Sequence, residues 1–212
     1  MEPAVREMHR VLKPTGSFYL HCDWHASHYL KVMCDRIFGY PRFKNSIIWF
    51  YHDSPGRSTQ WFPRKHDEIL FYTKSEEWTF NTDAIRVPIL DTSKERYTYE
   101  RELGGKRYLG GEASEKGKVP EDVWSIPVVK GNSAEALAAR YPTQKPLALL
   151  ERIIKASSNP GDLVLDPFCG SGTTALAAAK LNRHYIAIDS SVAAIRVTEE
   201  RLRNYYGMYD KR

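Results

Sequence analysis

A short segment with two alternating glycines carries the strongest chemical signal in this chain. From Leu163 to Thr174 an apolar run is followed by an acidic residue, Gly170, Gly172 and two threonines. This order predicts a buried strand, a tight turn and the start of a helix. Glycines let backbone amides approach a ligand closely, and a helix N-terminus favours anionic groups. A nucleotide-type ligand is therefore expected at the carboxyl end of the strand, unless the segment is an ordinary strand-turn-helix corner.

A second acidic residue follows at the spacing of a nucleoside site. Asp189 ends a predicted strand, Tyr185–Asp189, and lies about 20 residues beyond the glycines. A carboxylate in this position can accept hydrogen bonds from both hydroxyls of a ribose. The same residue could instead cap a predicted helix over residues 191–205.

A lysine-containing turn precedes another predicted helix, Leu147–Ser157. Thr143, Gln144 and Lys145 lie in the turn. The first turn of a helix has free amides, and the lysine adds a cation, so the turn could bind a carboxylate as well as begin the helix.

The other elements follow from apolar periodicity and turn residues. We expect helices over residues 1–12, 24–38 and 173–181, and strands over residues 17–22, 45–51, 67–73 and 163–165. The segments 45–51 and 67–73 should pair as an antiparallel hairpin. Strands alternate with helices at both ends of the chain, which predicts an α/β fold with a mostly parallel open sheet and an antiparallel edge hairpin.

Three segments together resemble the S-adenosylmethionine-dependent DNA amino-methyltransferases. The glycine segment resembles their motif I, the P-T-Q-K-P sequence within Tyr141–Pro146 resembles motif X, and Arg10–Gly16 is similar to their R-x-L-K-P-x-G sequence. The order of these segments resembles the permuted β class, which methylates adenine N6 or cytosine N4. The resemblance covers nearly the whole chain and implies a Rossmann-like methyltransferase fold in a single domain over residues 1–212.

The resemblance also implies a cofactor, S-adenosylmethionine, and a set of residues that bind it. These are Asp166, Pro167, Phe168, Gly170, Gly172, Thr173 and Asp189, with Thr143, Gln144 and Lys145 at the methionine end. The implied reaction is direct methyl transfer to an exocyclic amino nitrogen of a base turned out of the duplex. Cys169 lies in the cofactor loop and no Pro-Cys sequence occurs, which argues against methylation at cytosine C5.

The catalytic D-P-P-Y sequence of the family does not occur in this chain, so no catalytic residue is predicted. In the permuted order its strand lies upstream, between the motif I strand and the strand over residues 17–22. We therefore expect an N-terminally incomplete domain whose open slot is filled by a partner chain, for example in a homodimer, or stays open. A catalytically incomplete fragment that binds DNA and cofactor is the alternative function. A nicotinamide-dependent oxidoreductase is a weaker one, because Asp-Pro-Phe and P-T-Q-K-P argue against it.

Charge and aromatic content favour an acidic partner such as nucleic acid, and the resemblance implies that the partner is double-stranded DNA. The chain has 31 lysines and arginines against 26 acidic residues, a net charge of +5. The loop over residues 54–64 and an insertion over residues 75–132 mix cations with aromatics, and by resemblance the insertion carries target recognition. The predicted DNA contacts are Arg57, Trp61, Arg64, Tyr97, Tyr99, Arg101, Lys106, Arg107 and Tyr108. Both segments could instead be solvated loops.

Other classes are disfavoured by what the chain lacks. Three cysteines without a C-x-x-C spacing predict free thiols and a cytoplasmic location. No apolar run approaches the roughly 18 to 20 residues that span a bilayer, so no membrane partner is expected. His21, His25 and His28 crowd around Asp23, but no distant ligand pair accompanies them, so no metal site is predicted.

Overall fold

The computed structural model describes residues 1–51, 58–89, 101–103, 106–108, 116–131, 133, 135–136 and 143–209, with the backbone alone at 101–103, 106–108 and 208–209. Helices are α1 (Glu2–Val11), α2 (Ser27–Phe38), α3 (Leu147–Ser157), α4 (Thr173–Lys180) and α5 (Val192–Tyr209). Strands are β1 (Ser17–Cys22), β2 (Phe43–Phe50), β3 (His66–Thr73), β4 (Arg101–Leu103), β5 (Lys106–Tyr108), β6 (Val123–Ser125), β7 (Leu163–Asp166) and β8 (His184–Ala187). Within the described part, no helix is both long and apolar enough to span a bilayer.

The larger sheet has the strand order β1-β3-β2-β6. The predicted hairpin is confirmed, since β2 and β3 pair antiparallel with Ile47 opposite Ile69. The other edge of β3 pairs antiparallel with β1, so β1 and β2 run in the same direction. Strand β6 adds in parallel to β2, and β7 pairs in parallel with β8. These pairings, with the helices between them, confirm an α/β fold.

The alternation of β3 side chains sets the two layers of the core. Leu70 and Tyr72 face α1 and α2, where they pack with Val5 and Cys34. Ile69 and its neighbours on the same face pack against α3. Because successive side chains of a strand point to opposite faces, one buried strand supplies both layers.

Helix α3 joins the two sheets. Leu149 packs in the cluster on the larger sheet, and Ile154 packs with Ala177 and Ala178 of α4 beside β7 and β8. Leu150 contacts both clusters. This shared apolar helix fixes the two sheets side by side.

Strands β1, β2 and β7 all end at one edge of the molecule, which we call the carboxyl edge. Their starts lie together, since Lys13 Nζ is 3.8 Å from Asp162 Oδ1. At the other ends, Lys145 connects the sheets: its carbonyl oxygen accepts a hydrogen bond from Thr173 Oγ1 (3.2 Å), and its Nζ is 6.0 Å from the centroid of the Trp49 ring. Residues at the ends of both sheets can therefore act on one ligand.

One local prediction was wrong, and one strand was missed. Helix α2 begins at Ser27 rather than Trp24, because the Asp23 carboxylate accepts the backbone N–H of His25 in a turn and its carbonyl accepts the N–H of Ser27. Strand β6 was not predicted. It has only three residues, and Trp124 is the one buried among them, so pairing with β2 rather than local periodicity creates it.

Candidate functional site

The glycine loop between β7 and α4 has a backbone that only glycine adopts easily. Gly170 and Gly172 have positive φ angles of 50° and 72°. The N–H of Gly172 donates to the carbonyl of Cys169 (2.7 Å), which closes the turn. A Cβ on Gly172 would lie 2.5 Å from Thr198 Oγ1. The turn therefore needs glycine both for its backbone angle and for its contact with α5.

Asp189, just beyond β8, bonds directly to this loop. Its Oδ2 accepts the N–H of Gly170 (2.9 Å), and its Oδ1 accepts the N–H of Ser191 (2.9 Å). The hydrogen bonds from Ser191 and Gly170 hold the pKa of Asp189 below its ordinary value. The carboxylate is thus anionic, and its remaining lone pairs can accept further hydroxyl donors. The bond to Ser191 also matches the alternative role as a cap before α5.

Helix α5 supports the glycine loop through two residues that the sequence analysis did not single out. Thr198 Oγ1 donates to the carbonyl of Gly170 (3.2 Å), and Arg201 Nη1 donates to the carbonyl of Ser171 (2.6 Å). Thr198 is 4% exposed and follows the fully buried Ala194 by one helical turn. Helical spacing could have placed Thr198 on the buried face, but it could not have shown that this face covers the loop.

The turn before α3 reaches the same loop. Thr143 has a positive φ of 62°, unusual for a residue with a side chain, and its carbonyl accepts a hydrogen bond from Lys145 Nζ (3.1 Å). The expectation that the start of α3 has free amides was wrong for Leu147. Its N–H donates to Glu135 Oε2 (2.9 Å), and the Glu135 carbonyl accepts a hydrogen bond from Gln144 Nε2 (2.7 Å).

A cluster of hydrogen-bonded side chains lies across the carboxyl edge from the glycine loop. Asp67 Oδ2 is 2.9 Å from His21 Nε2, and its Oδ1 accepts a hydrogen bond from Tyr51 Oη (3.2 Å). Burial alone would raise the pKa of Asp67, but these bonds and the charge of Lys145 outweigh it, and the pKa is lowered. Burial lowers the pKa of Lys145, and Asp67 opposes that shift. Asp67 is therefore anionic, bonds to His21 and interacts electrostatically with Lys145.

The predicted cofactor residues come together in two connected groups. Asp166 to Thr173 form the loop with Asp189, and Thr143 to Lys145 join it through the Thr173 hydroxyl. Asp166 Oδ1 accepts the N–H of Phe168, whose ring is 55% exposed beside the loop. This arrangement combines anionic acceptors, backbone amides, a cation and an apolar ring, which suits a nucleoside with a charged tail.

The predicted DNA contacts are described only in part. Trp61 and Arg64 lie at the carboxyl edge, where Arg64 Cζ is 3.7 Å from the Trp24 ring and 5.7 Å from the Trp61 ring. Arg57, Tyr97 and Tyr99 lie outside the described residues. Arg101, Lys106, Arg107 and Tyr108 belong to the β4-β5 hairpin, of which the backbone alone is described.

Comparison with known proteins decides the family. A family model described as DNA methylase matches residues 1–200. This chain belongs to the DNA methylase family. Type II methyltransferase M.HpaI of Haemophilus parainfluenzae is 35% identical over 207 residues, which are 97% of this chain and 59% of that protein. DNA adenine methyltransferase YhdJ of Escherichia coli K12 is 36% identical over 199 residues, which are 93% of this chain and 64% of that protein.

A solved structure supports the methyltransferase fold expected from the sequence. The complex of M1.HpyAVI with SAM superposes with a TM-score of 0.65 and 24% identity, covering 95% of this chain and 81% of that chain. At that identity the likeness shows the fold alone. The chain spans less than two thirds of the length of the two curated relatives.

Proposed function

We propose that this chain is part of an enzyme that transfers a methyl group from S-adenosylmethionine to an exocyclic amino nitrogen in DNA. The acceptor is adenine N6 or cytosine N4. The bond between sulfur and methyl breaks, a bond between nitrogen and methyl forms, and the amino group loses one proton. The direct bond between Asp189 and Gly170 carries the proposal, because it joins an anionic strand end to a glycine turn. The names of the relatives support the reaction class.

The loop and its neighbours fit the proposed cofactor. Asp189 is anionic and keeps acceptor sites for ribose hydroxyls, and the exposed ring of Phe168 offers an apolar face for a purine. The Lys145 carbonyl bonds to Thr173 of the loop, and its ammonium group, which donates to the Thr143 carbonyl, would supply a cation for an amino-acid carboxylate. When bound, S-adenosylmethionine would supply the electrophilic methyl group. The residues of this chain would fix its position and exclude other orientations.

The proposal is tested by incubating the protein with cofactor labelled on the methyl group and with mixed-sequence duplex DNA. Label in the DNA, recovered as N6-methyladenine or N4-methylcytosine after hydrolysis, supports the function and distinguishes the two bases. Label at cytosine C5 would contradict it. Calorimetric titration with S-adenosylmethionine and, separately, with NADH tests the cofactor, since a nicotinamide enzyme would bind the second.

A second proposal, that these residues bind cofactor and DNA but need a further strand for catalysis, is supported by the strand pairing. Among the described residues, β1 pairs only with β3 and β7 pairs only with β8, so each has an edge that could accept a further strand. Apolar side chains of the β7-β8 sheet and the residue after it face outward. Leu163, Leu165, Ile186 and Ile188 are 38% to 53% exposed.

We propose that a further strand and helix, from adjoining residues or from a partner chain, fill this position between β1 and β7. Fusing an upstream βα segment of roughly 30 or more residues that includes D-P-P-Y should raise both stability and methyl transfer. A fused segment with the same composition in scrambled order is the control. If the 212-residue chain alone transfers methyl groups as fast as the fusion, the catalytic group lies in this chain and the second proposal fails.

We propose DNA contacts for the β4-β5 hairpin as well, on the basis of its three basic residues. Replacing Arg101, Lys106 and Arg107 with alanine should reduce the slope of log affinity against log salt by nearly one unit per lost phosphate contact. The control replaces Arg6, Arg10 and Lys13, which lie on or next to α1, with alanine. These substitutions remove the same amount of positive charge. An equal loss of slope in both variants would mean that net charge, and not the hairpin, governs DNA binding.

A further inference from the structure

Arg201 of α5 starts a series of hydrogen bonds that leads from the glycine loop to Lys145. Its Nη1 donates to the carbonyl of Ser171 (2.6 Å) and to Thr173 Oγ1 (3.0 Å). The same hydroxyl donates in turn to the carbonyl of Lys145 (3.2 Å). These bonds can exist together, because a terminal guanidinium nitrogen has two N–H groups and a hydroxyl can accept one bond while donating another. Arg201 therefore acts on the backbone of Lys145 through a single hydroxyl.

Glu135 holds the turn before α3 from its other side. Its Oε2 accepts the N–H of Leu147 (2.9 Å), and its carbonyl accepts a hydrogen bond from Gln144 Nε2 (2.7 Å). The residue at the N-cap position is Pro146, whose side chain has no acceptor for a helix amide. A carboxylate 12 residues upstream thus caps α3 and fixes both flanks of Lys145.

The two holding residues also interact with each other. Burial of the Arg201 guanidinium lowers its pKa, and the negative charge of Glu135 opposes that shift. Glu135 therefore stabilises the charged form of Arg201, which is the form that donates to the loop and to Thr173. The contacts on the two sides of the turn support one another.

The turn needs such support because of its backbone. Thr143 has a φ of 62°, a left-handed conformation that is unfavourable for a residue with a branched side chain. A conformation of this kind persists only where the surrounding structure fixes it. The Lys145 ammonium group donates to the Thr143 carbonyl, so its position depends on the shape of the turn. Loss of either holding residue should let that ammonium group move.

We infer that Glu135 and Arg201 are positioning residues, which hold the Lys145 ammonium group in place for the amino-acid end of the cofactor. The inference rests on the proposed function, because it takes Lys145 as the cation for that carboxylate. Neither residue was among those expected from the sequence to bind the cofactor. Both act through other groups, Glu135 through Gln144 and Leu147, and Arg201 through Thr173.

Two ligands that differ only at the amino-acid end test the inference. S-Adenosylhomocysteine and 5′-methylthioadenosine share the nucleoside and a neutral thioether, but only the first carries an amino-acid carboxylate. Calorimetric titration measures the affinity of the 212-residue protein for each. Glu135→Ala should weaken binding of S-adenosylhomocysteine on the order of 10-fold, because the charged hydrogen bond from Lys145 is misplaced. Binding of 5′-methylthioadenosine should not change. Glu135→Gln keeps an acceptor for Leu147 and should recover part of the loss.

Arg201→Ala should have the larger effect, a loss of about 10- to 150-fold for S-adenosylhomocysteine. Its loss for 5′-methylthioadenosine should be smaller, because only the bond to the Ser171 carbonyl concerns the nucleoside end. Arg203→Ala is the matched control, since it removes the same charge from an exposed position of α5, and it should change neither affinity. Glu135 is exposed, so its variants decide the question even if Arg201→Ala does not fold.

The outcomes separate this inference from the proposed function. If the unsubstituted protein binds both ligands and the Glu135 and Arg201 variants weaken both equally, or neither, the two residues do not position Lys145 and the inference is overturned. The same holds if S-adenosylhomocysteine binds no more tightly than 5′-methylthioadenosine, and in each case the nucleoside site stands. If the unsubstituted protein binds neither ligand, the proposed cofactor fails, and the inference fails with it.

Discussion

The two halves of the carboxyl edge hold their polar groups in different ways. In the glycine loop, each of these backbone groups bonds to a different side chain. The N–H of Gly170 donates to Asp189, the carbonyl of Gly170 accepts from Thr198, and the carbonyl of Ser171 accepts from Arg201. On the larger sheet, side chains bond to side chains, as in the cluster around Asp67. The first half should therefore be sensitive to any added atom, and the second should respond to changes of charge while its backbone stays in place.

The largest effect is expected for Gly172→Ala. The added Cβ would lie 2.5 Å from Thr198 Oγ1 at a backbone with a φ of 72°, so strain and overpacking add. We expect the free energy of unfolding to fall by about 2 to 5 kcal/mol. Urea unfolding monitored by circular dichroism measures it, and cofactor affinity should fall in the same variant.

Gly161→Ala separates the two causes of that loss. Gly161 also has a positive φ, 86°, but a Cβ there would meet no atom within 4 Å. It should lose only about 1 to 2 kcal/mol, from the backbone alone. An equal loss in both variants would mean that the contact between the loop and α5 does not constrain Gly172.

A smaller effect, on the ligand rather than the fold, is expected for Asp189→Ala. Loss of charged hydrogen bonds to ribose hydroxyls should weaken binding of S-adenosylmethionine by about 1.5 to 3 kcal/mol. Calorimetry below the unfolding temperature measures it. Asp189→Asn keeps an acceptor for the N–H of Gly170. Its free energy of unfolding should therefore fall less than its binding free energy for S-adenosylmethionine, each relative to the unsubstituted protein. Unchanged affinity in the alanine variant would remove Asp189 from the proposed site.

The same contrast explains what could be predicted from the sequence. Strand β7, the glycine turn and helix α3 follow from local residue order, and their bounds agree closely with the prediction, including Leu147–Ser157. The contacts of Thr198 and Arg201 with the loop, and the bond from Leu147 to Glu135, could not be predicted, because they join residues that only the fold brings together. Local patterns placed the binding segments, but not the groups that hold them in position.

The Asp67 cluster is a second example of this limit, because its members come from three different strands. His21 is the next-to-last residue of β1, Tyr51 directly follows β2, and Asp67 is the second residue of β3. From the sequence, His21 was considered only as a possible metal ligand beside Asp23, and Asp67 was assigned only to a strand. Nothing in the spacing along the chain indicates their contact.

The smallest effect is expected for Asp67→Asn, and it should depend on pH. The pKa of Asp67 is lowered in the folded protein, so its stabilising contribution is fully present above the ordinary value of about 3.9 and is lost as the pH falls through the lower folded value. At pH 7 the variant should be less stable by about 1 to 2 kcal/mol, since one hydrogen bond to a charged group is weakened. The difference from the unsubstituted protein should narrow below about pH 4, measured by urea unfolding at a series of pH values.

Asp83→Asn is the control, because the Asp83 carboxylate is exposed and pairs only with Arg86 in the described structure. This substitution should change stability little at neutral pH. A difference for Asp67→Asn that stays constant from pH 7 to pH 3 would mean that its effect comes from packing, and that no charge on Asp67 links His21 to Lys145.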